Sequence, residues 1–154
     1  MPHPDLPAVE HCNCISLRRA SRRLSLYYDA CLAPAGLRAT QFSMLAILAQ
    51  RGPLRVNALA SLLDMDRSTA GQNVKLLERD GLMALLRSPT DGRSREVQLT
   101  AAGRAKLAAA LPLWNEAQHS FEALNGEADA ASLRASLQGL RIPDPVTTPP
   151  SDHP

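Results

Sequence analysis

A cysteine pair near the start of the chain offers residue types that could do chemistry. Cys12 and Cys14 closely follow His11, and such thiol and imidazole groups can bind zinc, attack an electrophile or be oxidised. A zinc or copper site needs three or four ligands, but the other three histidines are scattered, so we expect no metal site. A catalytic pair of Cys14 with His11 or His119 is the enzymatic alternative, yet no nucleophile elbow or phosphate-binding glycine loop accompanies it. We therefore expect no enzymatic activity and no cofactor.

A second group of polar residues, further along the chain, is suited to contacting DNA. After Asp66, a favourable N-cap, the residues Ala70, Val74 and Leu77 fall on one face of a helix. The opposite face and its edges carry hydroxyl, amide and basic side chains, which can bond to bases or phosphates. Gly71 would let this helix approach DNA closely, although an ordinary surface helix with a solvated polar face is the alternative. The predicted DNA contacts are Arg67, Ser68, Thr69, Gln72, Asn73 and Lys75.

A polar turn rich in arginine follows that helix. Two short runs with β-like alternation, 82–86 and 95–99, flank the turn and predict a hairpin. Arg93 and Arg95 on or beside a protruding turn favour entry into a narrow minor groove. We expect Asp91 to orient the Arg93 guanidinium through an ion pair. A turn that only aids solubility is the alternative.

The polar helix face and the arginine-rich turn must be held in place by other helices. A helix over about 12–33 is predicted, and Thr40 is expected to cap a short apolar helix over 41–50. Thr100 is expected to cap a long helix, and a shorter one follows over about 128–140. The first helix has a heptad-like apolar seam formed by Leu17, Ala20, Leu24, Tyr27 and Cys31. The element order predicts a mainly α fold with a β-hairpin wing, the winged helix-turn-helix.

Charge and composition are consistent with a DNA-binding protein. The formal net charge of +2 conceals a basic middle, because residues 51–106 contain ten Lys or Arg against six Asp or Glu. Proline clusters in the segments 1–11 and 141–154, which we expect to be disordered tails. No apolar run approaches the roughly 20 residues of a membrane helix, the start lacks a secretory pattern, and three cysteines make no disulfide framework. We expect a cytoplasmic protein without membrane contact.

Two segments carry a resemblance to a known family. The sequences VNALASLLDMDRSTAGQNVKLLERDGLM and SPTDGRSREVQLTAAG resemble the MarR family of bacterial transcriptional regulators. The resemblance implies one domain over 12–140, with a DNA-binding lobe at about 40–100. It also implies an intertwined helical dimerisation region formed by helices at about 12–33 and 101–140. Where the family often has a basic residue on its recognition helix, this chain has Gln72.

The resemblance also implies how the protein acts. Family members commonly work as homodimers on pseudo-palindromic double-stranded operators, often as repressors, and are released by small aromatic ligands or by thiol oxidation. The segment starting at Cys14 resembles the organic-hydroperoxide-sensing branch, which makes Cys14 a candidate redox sensor. In that branch tyrosine hydroxyls support the thiolate; here Arg18 replaces one tyrosine, and Tyr27 or Tyr28 could take the role. The alternatives to a regulator are a small cysteine-dependent enzyme and a winged-helix module that binds only proteins.

Overall fold

In the computed structural model of the protein, which describes residues 8–143, a single β-hairpin interrupts a series of α-helices. The helices are α1 (Asn13–Leu32), α2 (Ala39–Arg51), α3 (Val56–Leu62), α4 (Arg67–Arg79), α5 (Ala101–Asn125) and α6 (Glu127–Gln138). The strands β1 (Met83–Arg87) and β2 (Arg95–Leu99) pair antiparallel with Met83 opposite Leu99. The predicted fold class is therefore confirmed. Within residues 8–143, no one helix combines the length and apolarity to cross a membrane; α1 and α2 do so only as a pair bent by 71°.

The start of α2 differs from the prediction. The helix begins at Ala39 rather than after Thr40, and its N-cap is Arg38. The Arg38 N–H donates to the Gln41 side chain (3.0 Å), and the Ala39 N–H donates to the Asp29 carboxylate of α1 (2.7 Å). A carboxylate ten residues away thus does the capping, so the assignment of Thr40 as the cap was wrong.

The hydrophobic core lies between the end of α1, the helices α2 to α4, the hairpin and the first half of α5. Leu32, Met44 and Leu45 have no exposed surface, and Phe42 stacks on Trp114 with ring centroids 5.7 Å apart. The other buried members of this cluster are Leu37, Leu48, Leu59, Val74, Leu77, Leu82, Met83, Val97, Leu99 and Ala110. α4 and the hairpin therefore share one core with α2, α3 and the first half of α5.

The hairpin is joined to the rest of the chain at the middle of its second strand and just after that strand ends. Leu54, just before α3, exchanges two backbone hydrogen bonds with Val97 (3.0 and 2.7 Å). Just after the strand the Thr100 hydroxyl accepts from the Gly103 N–H (3.0 Å), which confirms Thr100 as the cap of α5. A side chain at Gly103 would overlap the Leu82 carbonyl oxygen, so only glycine lets α5 start this close to β1.

The chain divides after Ala117 into two compact units. In the second unit the Glu122 carboxylate accepts from Gln118 (2.9 Å) and from Arg134 of α6 (2.8 Å). These two hydrogen bonds, that from Gln118 first, lower the pKa of Glu122 below its ordinary value. Leu133 and Leu137 of α6 are about half exposed, which leaves an apolar stripe uncovered within the chain.

Of the predicted tails, only short parts belong to the described residues. Residues 1–7 and 144–154 lie outside them. Val9–His11 forms one turn of 3-10 helix with no buried residue, and residues 141–143 have no regular secondary structure. The prediction of disorder at both ends stays a prediction.

Candidate nucleic-acid interface

The N-terminus of α4 is fixed by Asp66. Its carboxylate accepts the Thr69 N–H (3.2 Å) and the Thr69 hydroxyl proton (2.5 and 2.9 Å to its two oxygens). These hydrogen bonds, the hydroxyl one first, lower the pKa of Asp66 from its ordinary 3.8. Asp66 is thus the N-cap predicted from the sequence, and the Thr69 hydroxyl is held by it.

The two faces of α4 are those that its sequence predicts. Ala70, Val74 and Leu77 are buried, with 0%, 3% and 0% of their surface exposed. Asn73 is half-buried, and its amide donates to the Thr69 carbonyl (3.0 Å). Four predicted contact residues are exposed and, among residues 8–143, have no hydrogen bond or ion pair from their side chains; they are Arg67, Ser68, Gln72 and Lys75. Within the described residues, Ser68, Gln72 and Lys75 therefore form an unpaired polar and basic set on one side of the helix, while Arg67 in its first turn lies nearer the Val74 side.

Gly71 lies in the middle of α4 without a packing reason to be glycine. A methyl group built there would meet no atom within 4 Å. Glycine inside a helix costs about 1 kcal/mol relative to alanine. No contact within the described residues compensates for that cost. The open space beside Gly71 could accommodate an external partner at the α4 surface.

The wing turn is ordered by its own polar groups. The buried Ser88 hydroxyl donates to the Glu96 carboxylate (2.6 Å), and the Ser88 N–H donates to the Ser94 carbonyl (2.9 Å). The Ser94 N–H in turn bonds the Asp91 carbonyl (3.0 Å). Arg93 is exposed, and within residues 8–143 its guanidinium has no hydrogen bond or ion pair. The turn therefore presents Arg93 outward.

The predicted ion pair between Asp91 and Arg93 was wrong. One Asp91 carboxylate oxygen accepts the backbone N–H of Arg93 (3.1 Å), and the other lies 3.3 Å from the guanidinium of Arg55. Arg55 is the N-cap residue of α3 and was not among the predicted site residues. It stands 36 positions from Asp91, and no local pattern in the sequence indicates the pair.

Cys14 is exposed and, within one chain, lies far from the tyrosines suggested as its partners. Cys14 lies in the first turn of α1 and is exposed, whereas Cys12 is half-buried. Tyr27 follows Cys14 by 13 residues on one continuous helix, which separates them by about 20 Å along its axis. Within one chain Cys14 therefore does not reach Tyr27 or Tyr28, and the role suggested for these tyrosines stays a prediction. Within residues 8–143, no three His, Cys, Asp or Glu side chains are grouped as a metal site.

Comparison with known proteins identifies the family of this fold. Residues 37–94, from just before α2 to the wing turn, match the MarR family model. A solved structure of a Pseudomonas aeruginosa protein, assigned as a transcriptional regulator, is 31% identical with a TM-score of 0.78. The alignment covers 84% of this chain and 97% of that one. The chain belongs to the MarR family. The family resemblance predicted from the helix and wing segments is thereby confirmed.

Two further structural neighbours of this chain were solved with DNA. The Mycobacterium tuberculosis regulator MosR, in complex with DNA, is 35% identical with a TM-score of 0.69, over 86% of this chain and 100% of that one. The repressor CouR, bound to a 23-mer duplex, is 30% identical with a TM-score of 0.77, over 84% and 92% of the two chains.

A relative known by sequence supports the same family. A regulatory protein for the hcr operon of Thauera aromatica is 31% identical over 106 residues. That alignment covers 69% of this chain and 64% of the relative's length. These relatives are transcriptional regulators rather than enzymes.

Proposed function

We propose that this chain is a homodimeric repressor that binds a pseudo-palindromic double-stranded DNA operator. The observation that carries the proposal is the polar face of α4, with its unpaired side chains opposite the buried Ala70, Val74 and Leu77. The wing follows that helix directly and carries Arg93, whose guanidinium has no partner among residues 8–143. A recognition helix beside a wing is the arrangement that reads the major groove and an adjacent minor groove.

The major-groove contacts are assigned to the exposed side of α4. Gln72 can bond an adenine edge with both its oxygen and its nitrogen, whereas Arg67 and Lys75 suit phosphate or guanine. Ser68 and Thr69 stand near the N-terminal end of α4, where a recognition helix approaches bases. Since the Thr69 hydroxyl proton is bonded to Asp66, the Thr69 side chain would offer DNA only an acceptor oxygen, whereas Asn73 would offer its side-chain oxygen and its second amide proton. The proposed set is Arg67, Ser68, Thr69, Gln72, Asn73 and Lys75.

The wing contributes the minor-groove contact. Arg93 is assigned to the groove, because its charge has no partner in the described chain. Arg95 lies opposite Arg87 across the hairpin, and like charges in cross-strand pairs destabilise an isolated hairpin. A nearby phosphate would relieve that repulsion. The DNA complexes of MosR and CouR support the assignment of the fold to DNA binding.

The dimer is assigned to the terminal helices. On α1 the apolar seam is not covered, since Leu17, Leu24 and Tyr27 are each about 40% exposed. On α6, Leu133 and Leu137 leave a second apolar stripe. Burying such surfaces in a partner is favourable by about 25 cal/mol for each Å² removed from water. This supports dimerisation helices at about 12–33 and 101–140, which we propose belong with a DNA-binding lobe at about 40–100 to a single domain over 12–140.

The releasing signal is assigned to a small aromatic ligand or to oxidation of Cys14. CouR, 26% identical to this chain with a TM-score of 0.77, is bound to p-coumaroyl-CoA in one structure, which supports the first signal. The exposure of Cys14 supports the second, since only an accessible thiol is readily oxidised. Either signal would act by stabilising a dimer whose recognition helices no longer match half-sites about 34–36 Å apart.

A binding titration separates these alternatives. Fluorescence anisotropy would be measured on the duplex upstream of the protein's own gene, in reducing buffer, with a scrambled duplex as control. An organic hydroperoxide or p-coumaroyl-CoA would then be added to the bound sample, and Cys14→Ser would be run in parallel. Release by the hydroperoxide from the wild type but not from Cys14→Ser assigns the redox signal. Weak binding that ignores both salt and sequence would indicate a protein-binding module instead.

A further inference from the structure

The wing tip is linked to the start of the helix-turn-helix through one ion pair. Arg55, at the N-cap of α3, places its guanidinium nitrogen 3.3 Å from the Asp91 carboxylate. The residue before it, Leu54, is already hydrogen-bonded to Val97 of the wing strand. Two consecutive residues therefore attach to the hairpin, one at its strand and one at its turn.

Asp91 is the centre of the turn that carries Arg93. Its second carboxylate oxygen accepts the Arg93 N–H (3.1 Å). Its backbone carbonyl accepts both the N–H and the hydroxyl of Ser94 (3.0 and 3.1 Å). A displacement of Asp91 would thus move the backbone on which Arg93 stands.

Stability alone does not account for this ion pair. Both side chains are about half exposed (54% and 46%), and exposed ion pairs contribute little to folding. The exposed pair of Arg79 with Asp80 joins adjacent residues and cannot fix one element against another. The pair of Arg55 with Asp91 instead spans 36 positions and restrains the wing against α3, on which α4 packs.

We propose that Arg55 is a positioning residue that holds Asp91 and thereby sets where Arg93 stands relative to α4. This inference rests on the DNA-binding function proposed above. Arg55 itself does not contact the operator in this assignment. Its effect on DNA binding passes through Arg93.

The test combines a measurement of wing order with a mutant cycle. Arg55→Gln removes the charge and keeps a side chain of similar reach. In the DNA-free protein, backbone order parameters at 91–94 should fall from about 0.85 towards 0.6 or below, while those of Val97 stay unchanged. Operator affinity should fall about three- to fivefold, in line with the loss of an exposed ion pair. In an Arg93→Ala background, Arg55→Gln should then have no further effect.

A control variant and two possible results for Arg55→Gln define what would contradict the proposal. Arg134→Gln breaks the similar ion pair with Glu122 in the second unit and should leave the order parameters at 91–94 unchanged. Unchanged order parameters in Arg55→Gln would overturn the proposal. So would an equal loss of affinity with and without Arg93, because that result would mean a direct contact of Arg55 with DNA. If no variant, wild type included, prefers the operator, the proposed function fails, while the order parameters still decide whether Arg55 holds the wing.

Discussion

Two glycines inside helices should respond in opposite ways to the same substitution. At Gly71 in α4 an added methyl group meets no atom within 4 Å. At Gly103 in α5 it would overlap the Leu82 carbonyl oxygen and the Leu99 side chain. Alanine is favoured over glycine in a helix interior by about 1 kcal/mol, but only the first position has the space to gain from it.

The size of each effect follows from these surroundings. Gly71→Ala should raise the free energy of unfolding by about 1 kcal/mol and Tm by roughly 2–4 °C. At Gly103 an overpacking cost of about 1–3 kcal/mol opposes that gain, and since the clash is with backbone we expect a net loss of up to about 2 kcal/mol. Thermal unfolding by circular dichroism measures both, at one protein concentration because Tm of a dimer depends on it.

Gly71→Ala should also weaken operator binding although the protein is more stable. The new methyl group would stand between α4 and the DNA groove and would keep the helix from approaching it closely. Anisotropy titrations on the operator duplex measure this second effect, with Gly103→Ala compared at equal folded concentration. A loss of stability in Gly71→Ala, or a gain in Gly103→Ala, would refute the packing argument. A more stable Gly71→Ala with unchanged affinity would refute the close approach of DNA at this position.

The other predictions concern the α4 cap, the wing and the dimer. Because the pKa of Asp66 is lowered from 3.8, its stabilising effect is complete above that pH and is lost as pH falls through the lowered value. Asp66→Asn should therefore flatten the acid dependence of urea unfolding, and the same pH profile in both proteins would contradict this. Arg93→Ala should weaken operator binding and reduce the salt slope by about one, whereas an unchanged slope would mean that the wing misses the phosphates. Aspartate at both Leu133 and Leu137 should yield monomers in sedimentation equilibrium. Leu62→Asp, at a leucine exposed to a similar extent (47%) outside the terminal helices, should not.

Local patterns predicted the elements that depend on neighbouring residues. The period of Ala70, Val74 and Leu77 gave the buried face of α4, because a helix repeats every 3.6 residues. Asp66 and Thr100 were found as caps, because each bonds backbone groups three positions away. The alternation in 95–99 likewise gave the second strand with the bounds it has in the structure.

Contacts between distant residues could not be predicted in this way. Asp29 caps α2 from ten positions away, which displaced Thr40 from that role. Arg55 is paired with Asp91 only because α3 and the wing are packed side by side, and the nearby Arg93 made a local pairing of Asp91 the more obvious prediction. The distance from Cys14 to the tyrosines of the same chain likewise depends on the whole length of α1. The residue types suited a thiolate site, but a continuous α1 keeps Cys14 and Tyr27 far apart.

Binding to the operator duplex tests the central proposal most directly. The titration would compare the duplex upstream of the protein's own gene with a scrambled duplex of equal length and composition, at two salt concentrations. The proposal predicts saturable binding near 10⁻⁸ M, on the order typical of specific sites, with weaker binding at higher salt. Equal affinity for the two duplexes, or affinity that does not change with salt, would contradict sequence-specific recognition by α4 and the wing.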